Sequence, residues 1–327
     1  MNSAVEYSIV VPVFNEEEVI AVTYERLKTV MDQTDRPYEL LFVNDGSTDR
    51  TVQILSEICQ GDGSVKLINF SRNFGHQIAI SAGMDNARGQ AVVVIDADLQ
   101  DPPEVIPQMI EKWREGYDVV YARRQRRKGE TFFKKWTAAL FYRSLRSITD
   151  IDIPLDSGDF RLIDRRVCDV MKKLKEKNRF IRGLVSWAGF RQTAVEYVRQ
   201  ERFAGESKYP LGKMVELSLD AMTSFSLRPL KLAVYLGVLF SSAGFFYLLF
   251  ALGERLFTPH DIPVWTSVTA ANMFFNGVVL IILGIIGEYT GRIYEEAKGR
   301  PLYIISSRTG FGEGEEADGK QPACDQE

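Results

Sequence analysis

The sequence predicts an α/β domain of the doubly wound type, followed by a hairpin of two membrane helices. Over the first 125 residues, short β-branched runs alternate with amphipathic segments, which is the pattern of repeated β–α units. Two uncharged apolar segments follow, at about 232–253 and 265–287. As helices, segments of this length would cover the roughly 30 Å hydrocarbon core of a bilayer. The predicted organisation is a cytosolic domain over 1–227, a transmembrane hairpin over 228–291 and a cytosolic tail over 292–327.

The strands of this domain are predicted from short runs of apolar residues, and the helices from apolar residues at helical spacing. Continuous apolar runs such as VVVI are typical of strands covered on both faces, which favours a parallel sheet. Such sheets bind ligands beyond the carboxyl ends of their strands. The predicted strands are Tyr7–Val13, Glu39–Asp45, Val65–Phe70, Ala91–Asp96 and Asp118–Ala122, and the predicted helices are Glu17–Gln33, Asp49–Gln60, Gly75–Arg88 and Pro103–Glu115.

Two further amphipathic segments, at about 131–148 and 213–227, combine apolar residues with basic ones. They are predicted to lie in the membrane interface, with their cations against anionic headgroups. Ordinary core-facing helices are the alternative interpretation. The segment from about residue 308 to the end is rich in Gly and in acids, which predicts disorder there.

Basic residues on both flanks of the hairpin predict its orientation. The loop between the apolar segments, residues 254–264, carries Arg255 as its one Lys or Arg. The positive-inside rule therefore places the domain and both termini in the cytoplasm, on a multi-pass protein of a bacterial-type inner (plasma) membrane. The flanking basic residues are Arg228, Lys231, Arg292, Lys298 and Arg300.

Composition excludes several classes of function. The formal net charge of −4 excludes a generally basic nucleic-acid-binding protein. Cys59, Cys168 and Cys324 are far apart in the sequence, which is typical of reduced thiols rather than of a disulfide framework. His76 and His260 are the two histidines, and without a third ligand nearby they do not predict a zinc site. The position of His76 favours a role at a helix start, and contact with a ligand is the alternative.

Asp96 and Asp98 form the clearest chemical motif of the sequence, a DxD motif. They follow the apolar run VVVI, and prolines then open a helix. Carboxylates two residues apart at a strand end can converge on one hard cation, Mg²⁺ or Mn²⁺, and Gln100 can add an oxygen ligand. Such an ion would offset the charge of a pyrophosphate leaving group. A solvated turn is the alternative for a DxD motif on its own.

Two other polar clusters follow predicted strands. The first contains Pro12, Val13, Asn15 and Glu16, and the second is the segment Asn44-Asp45-Gly46-Ser47. An Asp at a strand end can accept the imide N–H of a pyrimidine base, although Asp-Gly-Ser is also an ordinary turn. Because three polar clusters end three strands at one edge, the sequence predicts a shared ligand site there.

The motifs PVFNE, NDGS and DADLQDPP, in this order, resemble those of the family 2 glycosyltransferases of the GT-A fold. Within that family the chain is similar to the polyprenyl-phosphate branch, which includes dolichol-phosphate mannose synthase and bacterial undecaprenyl-phosphate glucosyl- and N-acetylglucosaminyltransferases. The resemblance covers about residues 1–300, including the two membrane helices of the bacterial members. It departs at Asn44, where many members carry a second acid. It also implies a homo-oligomer, for which a tetramer is one option.

The resemblance implies an inverting, metal-dependent transfer of a hexose, of the glucose or N-acetylglucosamine class. The donor would be a nucleoside-diphosphate sugar, of the UDP-sugar type, and the acceptor undecaprenyl phosphate at the cytosolic membrane face. A processive polysaccharide synthase and a non-catalytic membrane-tethered nucleotide-binding scaffold are the alternatives. The implied nucleotide-sugar-binding residues are Pro12, Val13, Asn15, Glu16, Asp45, Asp96, Ala97 and Asp98.

The resemblance also assigns phosphate-binding and catalytic roles. It implies that Arg123, Arg202, Ser207 and Lys208 bind the lipid phosphate, for which Arg and Lys are suited by charge and geometry. Asp159 matches the segment that positions a catalytic base in soluble relatives. Because a lipid phosphate is already anionic at neutral pH, Asp159 is expected to orient the sugar or an arginine. The implied catalytic set is Asp98, Asp159, Arg123, Arg202 and Lys208.

Overall fold

The computed structural model describes residues 5–124, 157–174, 176–177, 179–198, 230, 233–240, 242, 244, 246 and 264–311. The chain divides into two compact units. One comprises Met1–Tyr142, Ile151–Lys213 and Pro301–Glu327, and the other comprises Arg143–Asp150 and Met214–Arg300. The predicted interfacial segments, 131–148 and 213–227, lie outside the described residues.

The first unit alternates strands and helices, as the sequence predicts for residues up to 124. Its strands are β1 (Tyr7–Val13), β2 (Tyr38–Asn44), β3 (Val65–Phe70), β4 (Ala91–Val94), β5 (Val119–Arg124), β6 (Ser157–Asp164), β7 (Gln192–Tyr197) and β8 (Ile305–Thr309). Its helices are α1 (Ile20–Asp32), α2 (Thr51–Gly61), α3 (His76–Asn86), α4 (Ile106–Arg114), α5 (Arg165–Lys173) and α6 (Ile181–Trp187), with a short 3₁₀ turn at Pro103–Val105.

In the part of the chain that the structure describes, these strands form one sheet in the order β7-β5-β6-β4-β1-β2-β3-β8. β4, β1, β2 and β3 are parallel, whereas β6 runs antiparallel to β4 and β5, and β8 runs antiparallel to β3. The prediction of a parallel sheet was therefore wrong for the whole, because the sheet is mixed. The strand β6 alternates buried apolar side chains with polar ones. It therefore lacks the continuous apolar run from which the parallel strands are predicted.

The core lies on both faces of the central strands. β1 is buried along its whole length, and its side chains at Ile9 and Val11 belong to a cluster with Leu27 of α1. On the opposite face Val10 meets α3, where a Cβ on Gly83 would lie 2.1 Å from Val10 Cγ1. Glycine is therefore required for α3 to approach the sheet this closely. Burial of a side chain of the size of Val10 contributes about 1.5–3 kcal/mol to the free energy of folding.

The register of the parallel strands brings the predicted motifs to one edge. Val13 at the end of β1 pairs with Asn44 at the end of β2, and Val10 pairs with Val94 at the end of β4. The segments that follow these three strands therefore leave the sheet at its carboxyl edge. That edge is where the sequence predicts a ligand.

The strand β8 has no counterpart among the predicted elements. The sequence predicts Ile305–Thr309 within a cytosolic tail, but the segment pairs with β3 and completes the sheet. Tyr303 stacks on Phe70, with ring centroids 5.3 Å apart, and Ser71 N donates to Ile304 O at 3.0 Å. The tail from residue 312 onward lies outside the described residues.

The second unit contains α7 (Val264–Ala297), a helix of 34 residues. Among the described residues it is the one helix long and apolar enough to cross a membrane, over Phe274–Ala297. Its apolar side chains are exposed, as at Leu280 and Ile281. The predicted second span, 265–287, lies within it. A two-helix hairpin is not shown, because half of the predicted first span, 232–253, lies outside the described residues.

A part of the predicted first span is nonetheless helical, at residues 233–240. Within the same unit the Phe240 ring lies edge-on to Phe274, with centroids 5.2 Å apart, and to Phe275 at 6.3 Å. The described part of this helix therefore packs against α7.

Candidate functional site

The segments after β1 and β2 are joined by hydrogen bonds. Asn15 N donates to Ser47 Oγ at 2.9 Å, and Asn15 Oδ1 accepts from Thr48 N at 2.8 Å. Glu16 N donates to Thr51 Oγ1 at 2.9 Å. Asn15 has a φ of +55°, a left-handed conformation that Asn adopts more readily than most residues. The motifs PVFNE and NDGS thus form one structural unit at the carboxyl edge.

Asp45 connects this unit to the start of α3. Its Oδ1 accepts from Phe74 N at 2.7 Å, and its Oδ2 accepts from Gly75 N at 3.0 Å. Burial raises the pKa of this carboxyl, and the two main-chain N–H groups oppose that shift. Asp45 therefore holds the main chain before α3 in place, and its predicted contact with a nucleobase stays a prediction.

Gly46 allows two segments to approach closely. Its φ is +72°, and a Cβ there would lie 2.6 Å from Arg72 C and from Asn73 N. Such a distance to main-chain atoms is shorter than real Cβ contacts, so any side chain would displace the backbone. The Gly of NDGS is required by both its backbone angle and its surroundings.

The DxD motif follows β4 in a tight turn. Leu99 has a φ of +58°, and Asp98 Oδ1 accepts from Gln100 N at 3.1 Å. Asp96 Oδ1 lies 3.3 Å from His76 Nε2, close enough for an ion pair, but it has no hydrogen-bond partner among the described residues. Burial, more than any neighbouring charge, raises the pKa of Asp96 to about 6.

This carboxylate fits a cation ligand. A buried oxygen without a donor is stabilised by a cation, and Asp98 offers a second carboxylate two residues away. No group of three or more His, Cys, Asp or Glu in the described part of the chain is arranged to hold a metal ion. Mg²⁺ is usually coordinated by one or two carboxylates from the protein, with the remaining ligands from phosphates and water.

Asp159 of β6 is the centre of a second polar group. Its Oδ1 accepts from Arg182 Nε at 2.8 Å, and its Oδ2 accepts from Gln77 Nε2 at 2.9 Å. His76 Nε2 lies 3.6 Å from the same Oδ2. Gln77 Oε1 also accepts a hydrogen bond from Ile181 N at 3.0 Å, which links α3 to the start of α6.

His76 stands between the two carboxylates. Burial would lower the pKa of the imidazole, but the charges of Asp96 and Asp159 and a hydrogen bond to Asp159 raise it to about 9. Its charge also acts on Asp45. His76 is therefore a fixed imidazolium at neutral pH, and it brings Asp45, Asp96 and Asp159 into one electrostatic cluster.

Asp159 is ionised over the whole neutral range. Burial would raise the pKa of this carboxyl, but the charge of Arg182 and the hydrogen bonds from His76 and Arg182 hold it well below its ordinary value. A carboxylate held in this way is a weak base. The geometry favours an orienting role for Asp159, and the group that it orients is Arg182.

A third group lies under the DxD turn. The Tyr197 hydroxyl donates to Asp101 Oδ1, and Arg124 Nε donates to the Tyr197 hydroxyl oxygen at 3.1 Å. The preceding residue, Arg123, pairs instead with Glu196 at 2.5 Å on the exposed surface. Of the two neighbouring arginines, Arg124 contacts the Asp101 group, and the predicted phosphate ligand Arg123 contacts Glu196.

The structure brings together several residues named from the sequence. Arg202, Ser207 and Lys208 lie outside the described residues. Gln77, Arg182 and the Asp101–Tyr197 pair were not predicted from the sequence, whereas His76 is the first residue of α3, at a helix start as predicted. The sequence signal that could have found Arg182 is the pair of arginines in the segment Arg179-Phe180-Ile181-Arg182. The predicted residues at the carboxyl edge are Pro12, Val13, Asn15, Glu16, Asp45, Asp96, Ala97, Asp98 and Gln100.

Comparisons with known proteins agree with the geometry. A family model described as glycosyl transferase family 2 matches residues 8–171. The uncharacterized glycosyltransferase YkcC of Bacillus subtilis (strain 168) is 66% identical over 95% of this chain and 96% of the relative. The bactoprenol glucosyl transferase of Shigella phage SfV is 43% identical over 92% of this chain and 98% of the relative.

A solved structure shows a weaker likeness. The glucosyl-3-phosphoglycerate synthase of Mycobacterium tuberculosis superposes with a TM-score of 0.45, at 20% identity. The match covers 67% of this chain and 79% of that one.

Proposed function

This chain belongs to glycosyl transferase family 2 and is a glycosyltransferase with an α/β, GT-A-like fold, and on that premise we propose that it glycosylates a polyprenyl phosphate. The bactoprenol glucosyl transferases support this acceptor, because their similarity extends over nine-tenths of the chain or more. Bactoprenol is a polyprenyl lipid, so the relatives imply membrane association. The proposed donor is a UDP-sugar that carries glucose or N-acetylglucosamine.

The observation that carries the proposal is the cluster of Asp96, His76 and Asp159 beside the joined loops of Asn15 and Asp45. It lies at the carboxyl edge of the parallel strands, where nucleotides bind in α/β sheets. In this proposal Pro12, Val13, Asn15, Glu16 and Asp45 surround the nucleotide, and Ala97 lies against it between the two acids.

A divalent cation, Mg²⁺ or Mn²⁺, is proposed at the DxD motif. Asp96 and Asp98 would hold it, with Gln100 as a further oxygen ligand. Asp96 Oδ1, which has no hydrogen-bond donor among the described residues, supports this assignment. When bound, such an ion stabilises the negative charge that develops on a departing diphosphate.

The proposed reaction needs no proton transfer to begin. A phosphate oxygen of the lipid forms a bond to the anomeric carbon, from the face opposite the diphosphate. The bond from that carbon to the diphosphate oxygen breaks, and its electron pair leaves with the diphosphate, so the configuration is inverted. Asp159 holds Arg182 in place by a charge-assisted hydrogen bond. Positioning and charge stabilisation then lower the barrier.

Cations are proposed to hold the acceptor phosphate. Arg123, Arg202, Ser207 and Lys208 are the residues assigned to this role by resemblance, and Asp98, Asp159, Arg123, Arg202 and Lys208 form the proposed catalytic set. Arg123 would exchange its exposed partner Glu196 for the phosphate. Such an exchange costs little, because exposed ion pairs contribute about 0–1 kcal/mol.

The proposed topology keeps the catalytic domain (1–227) and the tail (292–327) in the cytoplasm. The contact of Phe240 with Phe274 supports a second membrane helix beside α7, as part of a hairpin over 228–291. The amphipathic segments 131–148 and 213–227 would lie in the interface and bring the lipid phosphate to the site. The proposal also includes a homo-oligomer, for which a tetramer is one option.

The decisive experiment supplies the purified full-length chain with undecaprenyl phosphate and a panel of UDP-sugars, with and without Mn²⁺. Mass spectrometry of the lipid is expected to show one added hexose, only with the metal present. The Asp98→Ala variant should lose transfer, whereas Glu57→Ala, on the exposed face of α2, should retain it.

Other products would contradict the proposal. A sugar polymer would identify a processive synthase. Binding of a UDP-sugar without any transfer would identify a nucleotide-binding scaffold.

A further inference from the structure

One row of side chains crosses the sheet from β8 to the loop after β2. Ser307 of β8 pairs in register with Asn69 of β3, and Asn69 pairs with Asn44 of β2. Asn69 Nδ2 donates to Ser307 Oγ at 3.0 Å, and Asn44 Nδ2 donates to Asn69 Oδ1 at 3.0 Å. Three neighbouring strands are therefore linked by their side chains as well as by their main chains.

The same row continues into the predicted nucleotide loop. Asn44 Oδ1 accepts from Ser47 N at 3.0 Å, and Ser47 Oγ in turn accepts from Asn15 N at 2.9 Å. Each amide therefore donates toward β8, whereas Asn69 accepts from Asn44 and Asn44 accepts from the loop. We call the four residues Ser307, Asn69, Asn44 and Ser47 the β8 relay.

Burial makes this relay costly to interrupt. Asn44 and Asn69 are 3% and 8% exposed, so neither amide has free access to water as a substitute partner. A buried amide that loses a partner costs more than an ordinary exposed hydrogen bond contributes. In this arrangement residue 44 donates to Asn69, which an amide can do and a carboxylate cannot.

We propose that Ser307 is a positioning residue for the donor site: through Asn69 and Asn44 it holds the Asp45–Thr48 loop in the conformation that receives the nucleotide. The inference rests on the proposed function, because it names the nucleotide as the ligand of that loop. It also gives β8 a role, since the strand that directly follows α7 in the chain sets the geometry of a loop more than 250 residues earlier.

Two features separate positioning from simple support of the fold. The strand β8 is held by main-chain pairing with β3 and by the stacking of Tyr303 on Phe70, both of which survive truncation of Ser307. The neighbouring hydroxyl of Ser306 binds main-chain oxygen of Asn69 at 3.1 Å and takes no part in the relay. Ser306→Ala is therefore a matched control, with one hydroxyl removed from the same strand.

The test uses the full-length chain in lipid vesicles that contain undecaprenyl phosphate, with UDP-glucose as the donor. Ser307→Ala is expected to raise the KM for UDP-glucose about two- to fivefold, the effect of one weakened hydrogen bond, with kcat and the KM for the lipid unchanged. Ser307→Thr keeps the hydroxyl and should restore the wild-type KM. Ser306→Ala should match the wild type in every parameter.

Hydrogen exchange measures the relay independently of any ligand. In Ser307→Ala, the peptide that spans residues 44–51 is expected to exchange about threefold faster, because the Ser47 amide loses a well-held acceptor. Equal exchange in the wild type, Ser307→Ala and Ser306→Ala would overturn the inference. If the wild type neither binds nor transfers UDP-glucose while the exchange difference remains, the proposed function fails and the relay stands as a loop-positioning device.

Discussion

Arg182 Nε donates to Asp159 Oδ1 across 2.8 Å, so a carboxylate that resemblance places in the catalytic set holds an arginine. The pair joins α6 to β6, and the same carboxylate also binds Gln77 and faces His76. Its negative charge is therefore already balanced by cations. A carboxylate whose charge is balanced in this way is better suited to orientation than to proton abstraction.

Removal of the charge of Asp159 should misplace Arg182. Asp159→Asn is expected to lower kcat by about tenfold or more, since a hydrogen bond to a charged group contributes about 1.5–3 kcal/mol, while the Kd for UDP-glucose stays unchanged. A double-mutant cycle with Arg182→Ala should show strong coupling, because the two residues act as a unit. Additive losses would contradict the orienting role.

The stability contributed by Asp159 should depend on pH in a defined window. Its folded-state pKa lies below the ordinary value of 3.8, so the contribution is complete above that value and declines as the pH falls through the folded-state pKa. Urea unfolding of the wild type and of Asp159→Asn should give a smaller difference below about pH 4 than at pH 5. Because Asp159 also raises the pKa of His76 from 6.5 to about 9, the difference should decline again as the pH rises through that range. A difference that stayed constant below about pH 4 would contradict the ionised state of Asp159.

Chelation of divalent ions should abolish transfer reversibly. Treatment with EDTA is expected to remove activity, and Mn²⁺ or Mg²⁺ to restore it, because Asp96 Oδ1 lacks a hydrogen-bond donor among the described residues. Asp96→Asn should not be rescued by either ion. Binding of Mn²⁺ followed by electron paramagnetic resonance gives a readout apart from activity, and wild-type binding in Asp96→Asn would contradict the assignment.

A methyl group at residue 46 should destabilise the Asp45–Thr48 loop. In Gly46→Ala the new Cβ would meet the main chain of Arg72 and Asn73 at 2.6 Å with a φ of +72°. The expected loss is about 2 kcal/mol or more, measured by thermal unfolding. Gly63→Ala, where nothing lies within 4 Å, is the matched control and should leave the midpoint unchanged.

The contact between the helical segment 233–240 and α7 should contribute measurably in a membrane. Phe240→Ala removes an edge-on ring contact with Phe274 at 5.2 Å. In lipid vesicles this loss is expected to lower the free energy of unfolding of the packed helices by about 1 kcal/mol. Leu239→Ala, a truncation of an exposed neighbour, should have little effect. Equal losses in the two variants would show that the ring contact does not hold the segments together.

The first four strands and their helices could be predicted to within a few residues, because local sequence specifies them. Val13, Asn44 and Val94 end runs of apolar residues that are buried on both faces, and such runs are visible without knowledge of partners. The strands β6 and β8 carry alternating or polar residues. Their pairing is set by distant segments, so local pattern does not reveal them.

The candidate site follows the same division. Asp45, Asp96 and Asp98 could be predicted because each follows a recognisable strand end. Arg182 and Gln77 could not, because their importance lies in contacts with Asp159, 23 and 82 residues away in the chain. The role of Asn44 was also hidden, since its two amide partners belong to different segments.

The return of the chain to β3 after α7 constrains the order of events during synthesis. The ribosome releases residues 5–124 long before it makes Ile305–Thr309, so the outer edge of β3 stays unpaired while the helix of residues 264–297 is still being made. An open strand edge invites pairing with other chains. A nascent chain that stalls before residue 305 would thus expose the unpaired edge of β3 to other chains, and pairing with Ile305–Thr309 would cover that edge.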